Sequence, residues 1–330
     1  MSTNISQPAS PPASQSASHP AVSVLVPAKD EAENLPLFVQ LCDETFRTRP
    51  EQYEVIVIDD GSTDDTARVL GELVATYPFL RVVSHRSQRG IADALRSGFL
   101  AARSDVLVFF PADLQFKPED IPRLVAPILA GESDMVTGFK QGKYEKAFVS
   151  GIYNRLSRSL FHVPVRDLNN VKAYRREIME EQPARPDWHR YMIVLAAANG
   201  YTVTEIPVPL YPRHAGKSKF GISRIPIGVL DMLAVWFELR FGRKPLLAFG
   251  MIGAALFAIG LIAGIANMVM IATNHGLFAV RPVWTVIQTC LVLGSVFFAT
   301  GLLGEQIAVL RADQRELRRL LDAQRPPRGR

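Results

Sequence analysis

Between Val22 and Ile206 the chain alternates short aliphatic and β-branched runs with longer stretches whose apolar positions recur every three or four residues. The short runs predict strands at Val22–Val26, Val55–Ile58, Arg81–Val83, Val106–Phe110, Met135–Thr137 and Thr202–Ile206. The longer stretches predict helices at Asn34–Arg47, Asp64–Ala75, Ile91–Ala102 and Pro118–Leu129. Strands alternating with helices of that length argue for an α/β fold with a mostly parallel, doubly wound sheet. No internal repeat is visible. In such sheets ligands bind beyond the carboxyl ends of the strands, and polar residues gather there. Lys29, Asp30 and Glu31 follow the first strand, Asp59 and Asp60 close the second, and Asp113 comes soon after the fourth.

The C-terminal third follows a different pattern. Hydrophobic residues make up 48% of the chain, but two runs hold more than their share. Leu246 to Ile271 carries no charge and one amide, Asn267, and Val283 to Gly304 is also uncharged. A bilayer core needs about 20 apolar residues per helix, and both runs reach that. Two helices buried in a soluble core are the competing reading, but such helices rarely run so long without a charge on any face.

The flanks set the orientation. Arg240, Arg243 and Lys244 precede the first run, and the tail after the second holds seven arginines against four acids. The connection from Ala272 to Pro282 holds only Arg281 and His275. The positive-inside rule places both ends in the cytoplasm with a short loop outside, as in an inner or plasma membrane protein. The net charge of +5 then reads as attraction to the membrane surface. Nucleic acid is not an expected partner, because the basic residues cluster near the spans and no nucleic-acid motif is present. Ile225, Val229, Leu233, Trp236 and Phe237 fall on one helical face, with Asp231, Glu238 and Arg240 elsewhere. That suits a helix lying in the interface; a helix packed on the α/β domain is the alternative.

The predicted organisation is a disordered tail over 1–20, rich in Ser, Pro, Ala and Gln and without a signal-peptide core, and an α/β domain over 21–220. Interface helices over 221–244, two membrane helices over 245–305 and a basic tail over 306–330 complete it. Cys42 and Cys290 are far apart, and neither a disulfide framework nor a zinc site is implied.

Three segments carry the candidate chemistry: VSVLVPAKDEAENL, VIVIDDGSTDDT and VLVFFPADLQFKPED. Turn and capping chemistry alone accounts for the GSTDD stretch, where Ser62 or Thr63 is placed to cap a helix. It does not account for acids at three strand ends. Like charges there repel unless something positive or hydrogen-bonding lies among them.

VPAKDEAENL and IDDGSTDDT resemble the nucleotide-binding segments of family 2 glycosyltransferases of the GT-A, Rossmann-like fold, and PADLQFKPEDIP resembles their metal-binding segment. DLNNVKAYRRE, WHRYMIVLAAANGYTVTEIPV and RHAGKSKFG, followed by two membrane runs, are similar to the polyisoprenyl-phosphate glycosyltransferases. Dolichyl-phosphate mannose synthase and the bacterial undecaprenyl-phosphate glucosyltransferases are of that kind. The resemblance spans about residues 20 to 305.

The resemblance implies an inverting transfer of a single hexose-type sugar from a UDP- or GDP-linked donor to polyprenyl phosphate at the cytoplasmic membrane face. It assigns Pro27, Lys29, Glu31 and Asp59 or Asp60 to the base and ribose, with Ala112 also in the donor site. Asp113 and Gln115 would touch Mg2+ or Mn2+ on the diphosphate. Such a hard cation binds through oxygens and neutralises charge on the leaving group. Lys146 and Ser150 match positions that meet the lipid phosphate, and Arg213 and Lys219 match an Arg and a Lys that contact phosphate, with Lys217 in the same loop. Asp167 matches an aspartate that acts as base or orients the acceptor; a buried structural Asp is the alternative. His189 and Arg190, which open a helix after Trp188, are expected to line the site, and a packed, hydrogen-bonded histidine is favoured over a metal ligand at His189. Two-helix anchors often associate, so a homo-oligomer is among the expected partners.

The sequence departs from the resemblance at Pro111, where the usual Asp-x-Asp-x-Gln segment has its first acid. Pro supplies no side-chain oxygen. Weaker metal binding with catalysis intact, a ligand recruited from elsewhere, and a non-catalytic adaptor that has lost part of its metal site all remain open. A processive polysaccharide synthase would carry a Gln-x-x-Arg-Trp segment and more membrane helices than this chain has.

Overall fold

The computed structural model of the 330-residue chain describes residues 20–141, 160–161, 165–168, 170–182, 188–215, 225–242, 244–273 and 281–323. The chain divides into two compact units, Met1–Gly221 and Ile222–Arg330.

Among its described residues the first unit has seven strands: β1 (Val22–Ala28), β2 (Tyr53–Asp59), β3 (Leu80–Ser84), β4 (Val106–Phe109), β5 (Met135–Gln141), β6 (Lys172–Arg175) and β7 (Val203–Pro209). They form one sheet in the order β3-β2-β1-β4-β6-β5-β7. Every pairing is parallel except those of β6, which runs antiparallel to both β4 and β5. The expected mostly parallel sheet is present. The addition is β6, which the hydrophobic pattern did not predict. Its sequence, KAYR, hides the strand because Lys172 points into the protein, with 1% of its surface exposed.

Four main helices cover the sheet: α1 (Leu35–Phe46), α2 (Thr66–Thr76), α3 (Ile91–Ala101) and α4 (Ile121–Leu129). Two shorter ones follow, α5 (Arg176–Glu180) and α6 (Met192–Ala198). Successive strand residues point to opposite faces. Val22, Val24 and Val26 therefore pack with Phe38 of α1 and with Leu124 and Val125 of α4. Leu25, Ile56 and Ile58 pack on the other side with Leu95 of α3 and Ile193 of α6. Cover on both faces is why β1 and β2 read as nearly unbroken apolar runs.

Pro27 lies inside β1, where a missing N–H would ordinarily break a ladder. Its backbone faces the same side as that of Leu25, whose carbonyl accepts the Phe110 N–H at 3.1 Å, and β4 ends there. The missing donor thus falls just past the last bond between β1 and β4. The adjacent residue Ala28 still pairs with Asp59 of β2. With β2 on one side of β1 and β4 on the other, the crossovers leave in opposite directions. A crevice opens at the carboxyl ends.

The second unit holds α7 (Ile225–Phe241), a π-helical turn at Leu246–Gly250 that leads into α8 (Met251–Ala272), and α9 (Arg281–Ala323). Leu246–Ala272 and Val283–Gln314 are long and apolar enough to cross a membrane, with mean hydropathy 2.4 and 2.0 and only 17% of each window buried. Their backbones cross closely. A Cβ on Gly253 would lie 2.5 Å from the Phe298 nitrogen, and one on Gly294 would lie 2.5 Å from the Phe257 nitrogen.

α9 continues unbroken to Ala323, so the basic tail begins as helix. Along α7 apolar side chains lie both inside and outside the expected face. Leu233, in the expected face, is 47% exposed, while Met232 and Val235, outside it, are buried. Apolar side chains surround this helix, as they do where a helix meets apolar surroundings on more than one side.

Candidate functional site

The loops after β1 and β2 are laced together. Asp30 adopts a positive φ of 53°. Its Oδ1 accepts from the Thr63 N–H at 2.8 Å, and its own N–H donates to Ser62 Oγ at 2.9 Å. The Glu31 N–H donates to Thr66 Oγ1 at 2.9 Å, and Lys29 Nζ donates to the Gly61 carbonyl. Gly61, at φ 67°, presses on the next loop: a Cβ there would lie 2.6 Å from the Ser87 carbonyl carbon. Only a residue without a side chain fits.

The two adjacent acids of IDDGS do different things. Asp59 Oδ1 accepts one bond, from the Ser62 N–H at 2.9 Å. Asp60 is fully engaged. It meets His85 Nδ1 at 2.8 Å and accepts the Arg89 and Gly90 N–H groups, each at 2.8 Å. Burial opposes ionisation of Asp60, but those hydrogen bonds outweigh it and hold the carboxyl below its ordinary value. Asp60 ties the loop after β3 to the sheet, while Asp59, equally buried, has fewer hydrogen-bond partners among the described residues.

After β4 the chain turns sharply through Pro111, Ala112, Asp113, Leu114 and Gln115. Leu114 has a φ of 57°, a conformation that costs a bulky residue on the order of 1–3 kcal/mol and tends to persist where surrounding contacts over-determine it. Those contacts come from beyond β7. The Tyr211 N–H donates to the Gln115 carbonyl at 2.9 Å, and Lys117 Nζ lies 4.4 Å from the centre of the Tyr211 ring. One guanidinium nitrogen, Arg213 Nη2, lies 3.0 Å from Asp113 Oδ2 and 3.1 Å from Gln115 Oε1. Two residues on, the Ala215 carbonyl accepts from Asn34 Nδ2 at 3.5 Å, and the same amide donates to Glu31 at 2.6 Å. The segment after β7 thus reaches both the β4 turn and the start of α1. Burial pushes the Asp113 carboxyl above its ordinary value, while Arg213, the Gln115 amide and Lys140 pull it the other way.

Lys140 closes the cluster. It projects near the end of β5 and sits 3.3 Å from Asp167 Oδ2. Behind it, Lys172 Nζ donates to the His189 carbonyl at 3.1 Å. Burial lowers the Lys172 ammonium to about 8, and Asp167 works against that fall. His189 is 4% exposed. Burial, then Lys172 and Arg190, lowers its imidazole to about 3, so the ring is neutral at pH 7. Its carbonyl holds Lys172, and its Nδ1 has no partner among the described residues. Nothing in this set suggests a metal-ligand role for His189.

The structure brings Asp113, Gln115 and Arg213 into contact and sets Asp167 beside Lys140. Lys29, Glu31 and Asp59 belong to the laced loops, Pro27 to the end of β1, and Ala112 is buried beside Asp113. Lys146, Ser150, Lys217 and Lys219 lie outside the described residues. Lys140 is the residue that sequence reading missed. Its one signal is a cation ending an apolar strand, VTGFK, and that pattern is too common to stand out.

The donor set suits a divalent cation poorly. Pro111 offers no side-chain oxygen, and the two oxygens left, on Asp113 and Gln115, share one guanidinium nitrogen. Among the described residues no three His, Cys, Asp or Glu side chains converge. Mg2+ demands near-ideal octahedral oxygens, so the expected Mg2+ or Mn2+ on Asp113 and Gln115 is not matched by these side chains.

Comparison with known proteins gives a consistent picture. The profile of "Glycosyl transferase family 2" matches residues 23–181. An undecaprenyl-phosphate 4-deoxy-4-formamido-L-arabinose transferase of Pseudomonas fluorescens is 30% identical over 306 residues, covering 89% of this chain and 87% of that protein. A dodecaprenyl-phosphate galacturonate synthase of Rhizobium johnstonii is 28% identical over 302 residues, covering 87% of each. Among solved structures, glucosyl-3-phosphoglycerate synthase of Mycobacterium tuberculosis shares the GT-A fold. The form with Mn2+, UDP and glucosyl-3-phosphoglycerate superposes with a TM-score of 0.53 at 20% identity, over 67% of this chain and 80% of that one. A form with Mg2+ and UDP has the same TM-score.

Proposed function

The chain belongs to glycosyl transferase family 2, and from that we propose that it moves one sugar from a nucleoside diphosphate donor to a polyprenyl phosphate at the cytoplasmic face of a membrane. The observation that carries this reading is the charged cluster of Asp113, Arg213, Lys140 and Asp167. It belongs to a unit whose laced loops end β1 and β2, in a chain that also has two helices able to cross a bilayer. The relatives named above act on undecaprenyl and dodecaprenyl phosphate.

In the proposed reaction a phosphate oxygen of the lipid attacks the anomeric carbon as the bond from that carbon to the donor diphosphate breaks. One negative charge leaves the acceptor phosphate and one appears on the departing nucleoside diphosphate. The acceptor is already an anion, so the site needs cations that hold two phosphates close more than it needs a strong base. Lys140 is suited to the acceptor phosphate, with Asp167 holding its ammonium in place. Lys29, Glu31 and Asp59 take the base and ribose, and Lys146, Ser150, Lys217 and Lys219 add polar and cationic contacts to phosphate. Asp113 and Asp167 are both in ion pairs, which favours a single displacement with inversion over attack by a protein carboxylate. No step depends on a metal. Positive-inside charge puts both chain ends in the cytoplasm.

The test is transfer by the full chain in lipid vesicles containing undecaprenyl phosphate. The donor panel should join UDP and GDP to hexoses, with galacturonate and a 4-substituted arabinose included because the relatives use those sugars. A lipid-linked sugar and released nucleoside diphosphate from at least one donor are expected. Nucleotide binding without transfer across the whole panel would instead identify a non-catalytic adaptor.

A further inference from the structure

We propose that Arg213 is the built-in cation of the diphosphate site, binding the donor's diphosphate directly where a divalent metal would otherwise stand. The proposal rests on the reading of the chain as a nucleotide-sugar transferase.

The geometry places a charge where the ion would go. Arg213 Nη2 sits between Asp113 Oδ2 and Gln115 Oε1 at 3.0 and 3.1 Å. These are hydrogen-bond separations, longer than the roughly 2.0–2.6 Å of Mg2+ or Ca2+ to oxygen. An ion entering the same space would have to displace the guanidinium or sit against a like charge. Among the described residues Asp113 is paired with Arg213, and Asp167 with Lys140. An acid at position 111 would add a negative charge beside the first pair, and Pro111 adds none. An aspartate already paired with a guanidinium repels an approaching diphosphate less than two unpaired carboxylates would.

The arginine is also held in place. The Tyr211 to Gln115 backbone bond and the Asn34 to Ala215 contact fix the segment on either side of it. Its side chain is 27% exposed, so part of the guanidinium stays open to a ligand. Of five N–H donors only some are spent on Asp113 and Gln115, and a planar fork suits two phosphate oxygens. As the bond to the sugar breaks, charge collects on the diphosphate. A guanidinium already oriented there stabilises it without reorganising.

Two titrations of the full chain in detergent test this, and neither requires the donor to be identified. In the first, Mn2+ alone is added. The wild type is expected to show no saturable uptake. Uptake that disappears in Asp113→Asn would overturn the proposal. In the second, inorganic pyrophosphate is added in the presence of EDTA. Binding is expected, weakened about tenfold or more in Arg213→Gln, with Arg213→Lys between the two because it keeps charge but not the fork. The Mn2+ arm does not use Arg213→Gln, so it stands even if that variant does not fold. No pyrophosphate binding in EDTA, or binding indifferent to Arg213→Gln, would also overturn the assignment. Pyrophosphate binding that depends on Arg213 in a protein that transfers no sugar would retain the anion site and remove only the functional reading.

Discussion

Asp60 Oδ1 and His85 Nδ1 meet at 2.8 Å, and the other imidazole nitrogen reaches Ser97 Oγ of α3 at 2.9 Å. A residue at the end of β2 is thereby joined through a buried histidine to the helix after β3. The same carboxylate caps the Arg89 and Gly90 amides, so α3 starts from a fixed point. Asp59, its neighbour, has one backbone bond among the described residues, and on the proposed function it is the acid left to meet the donor.

Asp60→Ala should therefore act on stability. It strands a buried imidazole and two part-buried amides, and a loss of about 2 kcal/mol is expected. Denaturant unfolding measures that loss, and hydrogen exchange should speed up at Arg89 and Gly90. Asp59→Asn should leave unfolding nearly unchanged and weaken nucleotide binding. A large stability loss in Asp59→Asn with intact binding would reverse the two roles.

Asp167 and Lys140 are expected to serve turnover more than donor binding. In Asp167→Asn the ammonium 3.3 Å away loses its countercharge and its fixed direction. A fall in kcat of about a hundredfold, with donor KM within about threefold, is the predicted split. Lys140→Met should act chiefly on the KM for polyprenyl phosphate. If both variants melt early and neither changes the kinetics of the folded fraction, the pair is structural.

His189 gives the fold a pH dependence on the acid side. Burial lowers its pKa to about 3 from an ordinary 6.5, so between those values the unfolded chain binds a proton that the folded chain refuses. Stability must then fall as pH drops below about 6.5, by up to roughly 1.4 kcal/mol per unit. His189→Gln, neutral throughout, should flatten the slope between pH 6.5 and 5. An unchanged slope in that variant would assign the effect to other groups.

The close crossing of α8 and α9 sets the tolerance of the hairpin. Gly253→Val would force a side chain to within about 2.5 Å of the Phe298 backbone, and small residues are what allow membrane helices to approach this closely. The melting temperature of the full chain in detergent should drop. Gly264→Ala, whose added carbon would meet Ile287 at 3.5 Å, should be neutral. Equal tolerance at both positions would argue against the crossing.

The sequence by itself determined the elements with strong periodicity and the broad division of the chain. Six of the seven strands, the four main helices and the two long apolar spans follow from apolar runs whose residues must leave water on one face, on both, or along a whole helix. It also located the polar strand ends, because a strand that stops being apolar announces its own end. Only the tertiary structure decided what those polar groups do. Periodicity reports burial, and Lys172 is a buried cation in a strand that reads as polar, so β6 stayed hidden. Asp59 and Asp60 are adjacent and chemically identical, yet His85, 25 residues away, takes one and leaves the other. Arg213 lies 100 residues from Asp113, and their contact exists because β7 ends beside the turn after β4. Pairings across such distances depend on how the sheet is ordered, and no local pattern encodes that order.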